Sequence, residues 1–508
     1  MPVSYNFIPE TLRLPLFWAE VDPSLAGNFQ NYQRALIVAY KTSGGTQTAN
    51  TLQLLSSPDQ ARVRGGAGSQ FWGMTKAWYA NNSFDETWGA VISEPSGGTK
   101  SAGSIAVTGP ATASGVIYLY IGGRRVPVGV ISGDSANTVA AAINTAINAA
   151  EGLPLTSTVS TNTVTATCRW KGIDGDGIDI RHSYLGTLGG ETLPAGIGLT
   201  ITAMSGGAGV PDLSGLITAL GDEEFDTVVM PWTDTAALNA ITAEWDHAGD
   251  NGRWSWQRQI YGHVYTARDG SVGDLQSFGA ARNDAHITCF GYYGSPTPQW
   301  ERAAMFAARA HRSLMNDPAR PLHTLELTGM MPAVSELRFQ KSEKNSLAFD
   351  GISCGKESAD GRVQIETSFT LYQLNTHGLA DDAFLKIQTL TTLAYYLRSL
   401  RFAITQKFPR HKLGNDDVRY GPGQAIATPK SIKAEIISHY RRLEYLALVE
   451  NADAFKESLI VERHPSNPNR VNVSVGPDFV NQLDVFAVLA QFRLQYPAAL
   501  PDQPLAVG

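Results

Sequence analysis

Cysteine is scarce in this chain: three residues in 508, Cys168, Cys289 and Cys354, far apart and without a CxxC spacing. That excludes a disulfide scaffold and a cysteine zinc ribbon, and it fits reduced core thiols in a cytosol. Long apolar runs are also missing. ALIVAY and VFAVLA are typical of the longest, well short of the roughly 18 residues that span a bilayer. The first residues, MPVSYNFIPETLRLPLFW, have no basic start, and Pro2, Pro9 and Pro15 interrupt any apolar core of a leader. The sequence therefore predicts a soluble, unexported chain with no membrane insertion. Positive charge is not in excess either: 40 Lys+Arg stand against 47 Asp+Glu, a net of -7. A nucleic-acid coat needs a basic footprint, so no nucleic-acid partner is expected.

Catalytic and cofactor signatures are absent in the same way. The ten histidines form no HExxH and no zinc-spaced pairing with cysteine. There is no G-x-S-x-G elbow and no D-[ST]-G, H-G-T or G-T-S protease signature, although spacing alone does not exclude a Ser/His/Asp triad. GISCGK (351–356) has three residues between its glycines where a phosphate loop has four, and Glu357 stands where Ser/Thr would hold magnesium. It reads as a turn before a strand. GIDGDGIDI (172–180) clusters Asp174, Asp176 and Asp179 but lacks the full calcium-loop pattern, so a Gly/Asp turn is preferred. His247 and His263 lie near Asp246 and Asp269, a pairing common in loops, and Trp245, Trp254 and Trp256 read as packing before sugar stacking. No catalytic residue, metal or cofactor is expected.

What is present is a large apolar fraction, 43%, over a length that suits about three domains. Between residues 96 and 210 the chain is rich in Gly, Ser and Thr and reads as short strands: 115–123, 125–132, 157–170, 178–184 and 199–204. One helix interrupts them, SANTVAAAINTAINAAE, with Val139, Ile143 and Ile147 at helical spacing. This predicts an inserted, mainly β, peripheral domain. On either side, 30–95 and 211–374, strands and helices alternate: QRALIVAY, FDTVVMPW, RQIYGHVYTA and DAHITCFGYYG, with helices between them. That rhythm predicts an α/β core with a parallel, helix-covered sheet.

From about 375 a third, α+β unit is expected. ADDAFLKIQTLTTLAYYLRSLRFAITQKF carries an apolar stripe through Phe384, Ile387, Leu390, Leu393, Leu397, Leu400, Ile404 and Phe408, with Asp381 or Asp382 as cap and Pro409 as stop. A second helix opens at Thr428-Pro429. ESLIVER and NRVNVSV flank HPSNP, a hairpin signal. Last comes LDVFAVLAQFRLQY (483–496), where Phe486, Val488, Phe492 and Leu494 alternate as on a strand with one buried face. The other terminus matches it: Leu12, Leu14, Leu16 and Trp18 alternate in TLRLPLFWAEVD, and Pro15 confines that strand to an edge or an arm. A hairpin alone is marginal in water. Strands from both termini would complete a four-stranded sheet, and nothing requires them to come from one molecule.

Long strings of the final third, TLAYYLRSLRFAITQKFPRHKLGNDD, GPGQAIATPKSIKAEI, LVENADAFKESLIVER and NPNRVNVSVGPDFVNQLDVFAVLAQFRLQ, resemble the Mu-like tail sheath proteins of contractile phage tails. RLPLFWAEVD is similar to that family's first strand, and LYIGGRRVPVGV with the helix after it to its inserted domain. The resemblance implies a virion structural subunit, assembled in the bacterial cytoplasm, that polymerises around a tail tube and contracts. It also implies a subtilisin-like sheath core without protease activity. The implied partners are the protein itself, the tube protein, and baseplate and terminator proteins. The implied layout is an arm and linker (1–29), the core (30–95 and 211–374), the insert (96–210), a C-terminal domain (375–482) and a strand arm (483–508).

Strand exchange between neighbours would then use Leu12, Leu14, Leu16 and Trp18, hairpin residues Leu459, Val461, Val471 and Val473, and Phe486, Val488, Phe492 and Leu494. Residues 376–508 hold 15 Lys+Arg against 13 Asp+Glu. This slightly basic unit makes Arg398, Arg401, Lys407, Arg410 and Lys412 candidates for tube or neighbour contact. A hydrolase on the α/β core and a carbohydrate-binding adhesin on the insert are the competing readings.

Overall fold

A computed structural model of the chain describes residues 33–494 apart from Pro422. Its centre is an eight-stranded sheet. The first part of the chain supplies β1 (Ala35–Tyr40), β2 (Leu52–Leu55), helices α1 (Pro58–Gly65) and α2 (Gln70–Asn81), and β3 (Thr87–Ile92). After a long excursion the chain returns with α4 (Ser214–Leu220), β11 (Thr227–Val229), α5 (Thr235–Glu244), β12 (His263–Asp269), α6 (Val272–Ala280) and β13 (Ile287–Tyr292). Then follow α7 (Gln299–Asn316), α8 (Lys341–Phe349), β14 (Ile352–Glu357) and β15 (Val363–Ile365). The strand order is β15-β14-β13-β12-β11-β1-β3-β2. The six inner strands are parallel, and an antiparallel strand closes each edge.

All six residues of β1 and of β13 are buried. Continuous apolar runs such as ALIVAY are what a parallel strand covered on both faces requires. Helix α7 packs on β11 and β12 beside α2, and α6 and α8 pack together over β14. Twelve of the eighteen residues of α7 are buried, because the inserted region covers part of it. GISCGK is strand rather than phosphate loop: Gly351 turns the chain at φ 71, and Ile352–Glu357 is β14.

The excursion folds as two antiparallel sheets around α3 (Ala136–Ala149). One, ordered β10-β4-β8-β7, contains β4 (Ala102–Thr108), β7 (Leu155–Ser160), β8 (Thr163–Cys168) and β10 (Gly198–Ser205). The other, β6-β5-β9, contains β5 (Gly115–Ile121), β6 (Arg124–Val130) and β9 (Ile180–His182). The helix buries Val139, Ile143 and Ile147, as its periodicity predicts. The single strand expected over 157–170 is instead the hairpin of β7 and β8. Thr161, with φ 52, sits in the left-handed region that reverses the chain. Nor does this region hang from a tether. Trp170 meets Trp300 of α7 edge-on with ring centres 5.5 Å apart, Arg124 pairs with Glu301 at 2.7 Å, and Tyr184 donates to the Pro332 carbonyl at 2.7 Å. One contiguous set of buried apolar residues runs through both regions.

The C-terminal unit has its own small core of Tyr396, Ile436, Tyr440, Leu443, Val449, Phe455 and Leu459, with the Tyr440 and Phe455 rings stacked 3.7 Å apart. Its elements are α9 (Ile387–Lys407), β16 (Lys412–Leu413), β17 (Ile426–Ala427), α10 (Pro429–Tyr445), α11 (Ala452–Ser458), β18 (Ile460–Arg463) and β19 (Val471–Ser474). Thr428 caps α10 in a reciprocal box with Ser431. The expected cap at Asp381 or Asp382 is corrected: α9 starts six residues after Asp381, at Ile387, after an uncapped Lys386. Asp381 instead accepts the Tyr372 hydroxyl and the Ala383 N–H. Phe384 therefore precedes the helix and packs on His247 and Tyr372.

Candidate assembly surface of the C-terminal unit

Strands β18 and β19 form a two-stranded sheet with Val461 opposite Val473 and Arg463 opposite Val471. Neither strand has a further strand beside it among the described residues, so each presents an outer edge of backbone donors and acceptors. Val461 anchors the pair by packing against the small core, whereas Val473 and Ile460 are 43% and 56% exposed. Val471 is half-buried. Leu459 requires a correction. It follows α11, is 1% exposed, and belongs to the core, because residues 457–458 continue that helix instead of opening the strand. Its side chain is not available to a neighbour.

The segment expected to be the last strand is in no strand and has no buried face within the described residues. Phe486, Val488, Phe492 and Leu494 are 82%, 70%, 83% and 95% exposed, and so are Leu483, Val485 and Leu489 on the other parity. Period 2 describes what the side chains could do in a sheet; the described residues supply no sheet for them. The segment is tied to the body at its root by an ion pair between Asp484 and Lys386. Leu12, Leu14, Leu16 and Trp18 lie outside the described residues.

The five basic candidates separate. Arg398 is engaged inside the chain: its guanidinium pairs with Glu224 and Asp226, each at 2.6 Å, and donates to the Tyr261 carbonyl. Burial alone would lower its affinity for a proton, and the two carboxylates more than reverse that. Its charge is thus consumed by a joint between α9 and the α/β core. Arg401, Lys407, Arg410 and Lys412 are exposed. Of these, Lys407 pairs with Glu435 and Lys412 donates to Gln424.

Several nucleophile and base side chains are buried. Ser399 contacts His439 at 3.1 Å, but both are buried, His439 Nδ1 has no partner, and burial lowers that imidazole to about 4. His263 faces Thr288 at 2.8 Å and is held by burial at about 3. Burial pushes the thiols of Cys168, Cys289 and Cys354 up to about 12, far from the thiolate a nucleophile needs. Asp174, Asp176 and Asp179 form no metal cluster, and among the described residues no group of three ligating side chains does. No described helix is long and apolar enough to cross a membrane. Of the tryptophans singled out by sequence, Trp245 is core, Trp254 half-buried and Trp256 exposed. Sequence reasoning missed the Arg398 joint and the Lys386–Asp484 root, since residues 174 and 98 positions apart carry no local signal.

Residues 206–371 match the phage tail sheath protein central domain, and residues 380–493 match the phage tail sheath C-terminal domain. The chain is 38% identical over 496 residues to the Mu-like prophage FluMu tail sheath protein of Haemophilus influenzae, covering 97% of this chain and 100% of that one. Among solved structures it is similar to the sheath tail protein of Desulfitobacterium hafniense, at 12% identity and a TM-score of 0.46 over 92% of this chain and 97% of that one. It is also similar to a sheath tail protein of Listeria innocua, at 11% identity and 0.45 over 89% and 93%. Full-length identity at this level fixes the assignment: the chain belongs to the Mu-like phage tail sheath family and is a structural subunit of a contractile tail sheath.

Proposed function

We propose that this subunit polymerises helically, in six-fold layers, around a tail tube, and that contraction of the polymer drives the tube through a bacterial envelope. The observation that carries the reading is that, among the described residues, the two-stranded sheet has open edges and the apolar segment 483–494 is in no strand. A neighbour's residues 485–495 and another's 11–20 would complete a four-stranded sheet on the β18–β19 hairpin. Backbone ladder bonds would give affinity, and alternate side chains would set register. The units assigned to 30–95 with 211–374 and to 375–482 would then move as bodies linked by arms, the first having the subtilisin-like sheath fold and no protease role. The insert, 96–210, would face outward from the tube.

Such a polymer needs no bound nucleotide. An extended lattice that buries less surface than the contracted one releases energy once triggered. At roughly 25 cal/mol per Å², about 400 Å² of extra apolar burial per subunit would give on the order of 10 kcal/mol before opposing terms. Tube protein, baseplate and tail terminator are the partners in this reading, with assembly in the host cytoplasm. Arg401, Lys407, Arg410 and Lys412 are the basic residues offered to the tube or a neighbour. The test is deletion of 483–508, with electron microscopy and sedimentation: the reading expects a folded monomer that forms no tubes, and normal tubes from the truncated chain would overturn it.

A further inference from the structure

Helix α10 is a rod of 17 residues, about 25 Å long at the usual rise, and its two ends differ in charge. At its start lies the loop that follows α9. Strand β16 of that loop pairs with β17, which leads into α10, and Asp416 accepts the Lys430 N–H at 3.0 Å. Residues 407–420 hold Lys407, Arg410, Lys412 and Arg419 against Asp416 and Asp417. Lys407 pairs with Glu435, whereas Arg410 and Arg419 are exposed and in no ion pair among the described residues. Val418 and Tyr420, on either side of Arg419, are exposed as well.

At the far end the balance reverses. Residues 444–457 hold Glu444, Glu450, Asp453 and Glu457 against Lys456. Glu444 accepts the Ala452 N–H at 3.0 Å, and Asn451 donates to Asp478 at 2.7 Å, which gathers a fifth carboxylate to this end. Arg441 and Arg442, on the last turns of α10, offset part of that charge, and Arg441 reaches Asp453 at 3.8 Å. Glu450 and Glu457 are exposed and in no ion pair among the described residues. Tyr445, 90% exposed, and Leu446 beside it add an apolar surface.

Each end thus combines net charge with uncovered apolar side chains, and the two ends are complementary. A tail tube seated on the basic end would leave Tyr445 and Leu446 in water, whereas a second copy of this chain covers both ends. We propose that the basic loop 407–420 of one subunit docks on the acidic end, 444–457, of the next. Unlike ends that join build rings or helices instead of closed pairs, and opposite charges steer and register the encounter. The contact rests on the polymer reading above, but it is separate from strand exchange, because neither the β18–β19 hairpin nor segment 483–494 takes part.

The test reverses each end in the full chain. One variant carries Arg410→Glu and Arg419→Glu, the other Glu450→Lys and Glu457→Lys. Both should melt like the unaltered chain, and each alone should lose about ten-fold or more of its sedimentable tubes. An equal mixture of the two should regain them, because every reversed end then meets a reversed partner. A mixture no better than either variant alone would overturn the proposal. So would a reversed basic end that polymerises normally and loses only its co-sedimentation with tube protein. If the unaltered chain forms no tubes, the polymer reading fails, and sedimentation velocity still decides the contact: a larger species in the mixture alone supports it, and its absence overturns it. Tubes that survive loss of residues 483–508 but not charge reversal would sink strand exchange alone.

Discussion

Arg398 donates to Asp226 across 2.6 Å, binding a helix of the C-terminal unit to the residue just before β11. Glu224 and the Tyr261 carbonyl hold the same guanidinium. Removing it would leave Asp226, 10% exposed at its side chain, beside Glu224 with no counter-charge. Arg398→Ala should therefore destabilise the folded subunit by about 2–4 kcal/mol, read from denaturant melts of the dilute monomer. A surface contact would leave those melts unchanged.

Asp174 should make stability fall with rising pH. It is 5% exposed in the turn before β9, its Oδ2 has no partner, and burial, with Asp234 adding, raises its carboxyl from 3.8 to about 7. The folded state thus holds the proton more tightly than the unfolded one. The stabilisation is complete below about pH 4 and is lost as pH rises through 7. Asp174→Asn should flatten that slope and gain about 2–4 kcal/mol at pH 8, at roughly 1.4 kcal/mol per pH unit. Paired thermal melts at pH 5 and pH 8 test this.

Leu459 and Val473 sit on opposite sides of the hairpin's work. Leu459→Ala empties a site that is 1% exposed and should cost about 2–4 kcal/mol of fold stability. Val473→Lys alters a residue 43% exposed and should leave the melt within about 0.5 kcal/mol, while tube formation under the microscope is lost. Loss of stability in the second variant would place Val473 in the core instead.

The inserted region should unfold with the α/β core. Trp170 on one side and Trp300 on the other are buried against each other. Trp170→Ala should lower the melting of both together, by about 3–5 kcal/mol, and calorimetry should give one transition for them. Two separate transitions, only one of them shifted, would show independent domains.

Much of the architecture was legible because period and burial agree. ALIVAY is buried at every position, and Val139, Ile143 and Ile147 form the inner stripe of α3. What failed did so where tertiary partners outbid local signals. Asp381 looks like a cap but bonds Tyr372, so α9 starts later. Thr161 gives no proline or glycine to mark its turn, so two strands read as one. Leu459 continues an apolar alternation yet faces inward, because a short helix ends just before it. At the surface, charge alone placed Arg398 among contact residues; its partners, 172 and 174 positions earlier, were invisible to any local pattern.

The exposed segment 483–494 has a consequence for the lone subunit. Seven large apolar side chains stand at least 70% in solvent there, and only another surface can relieve them. Whatever covers those side chains adds to the subunit's own stability by mass action. Its melting point should climb with its concentration, and dilution should bring it down to a plateau set by the monomer's own cores.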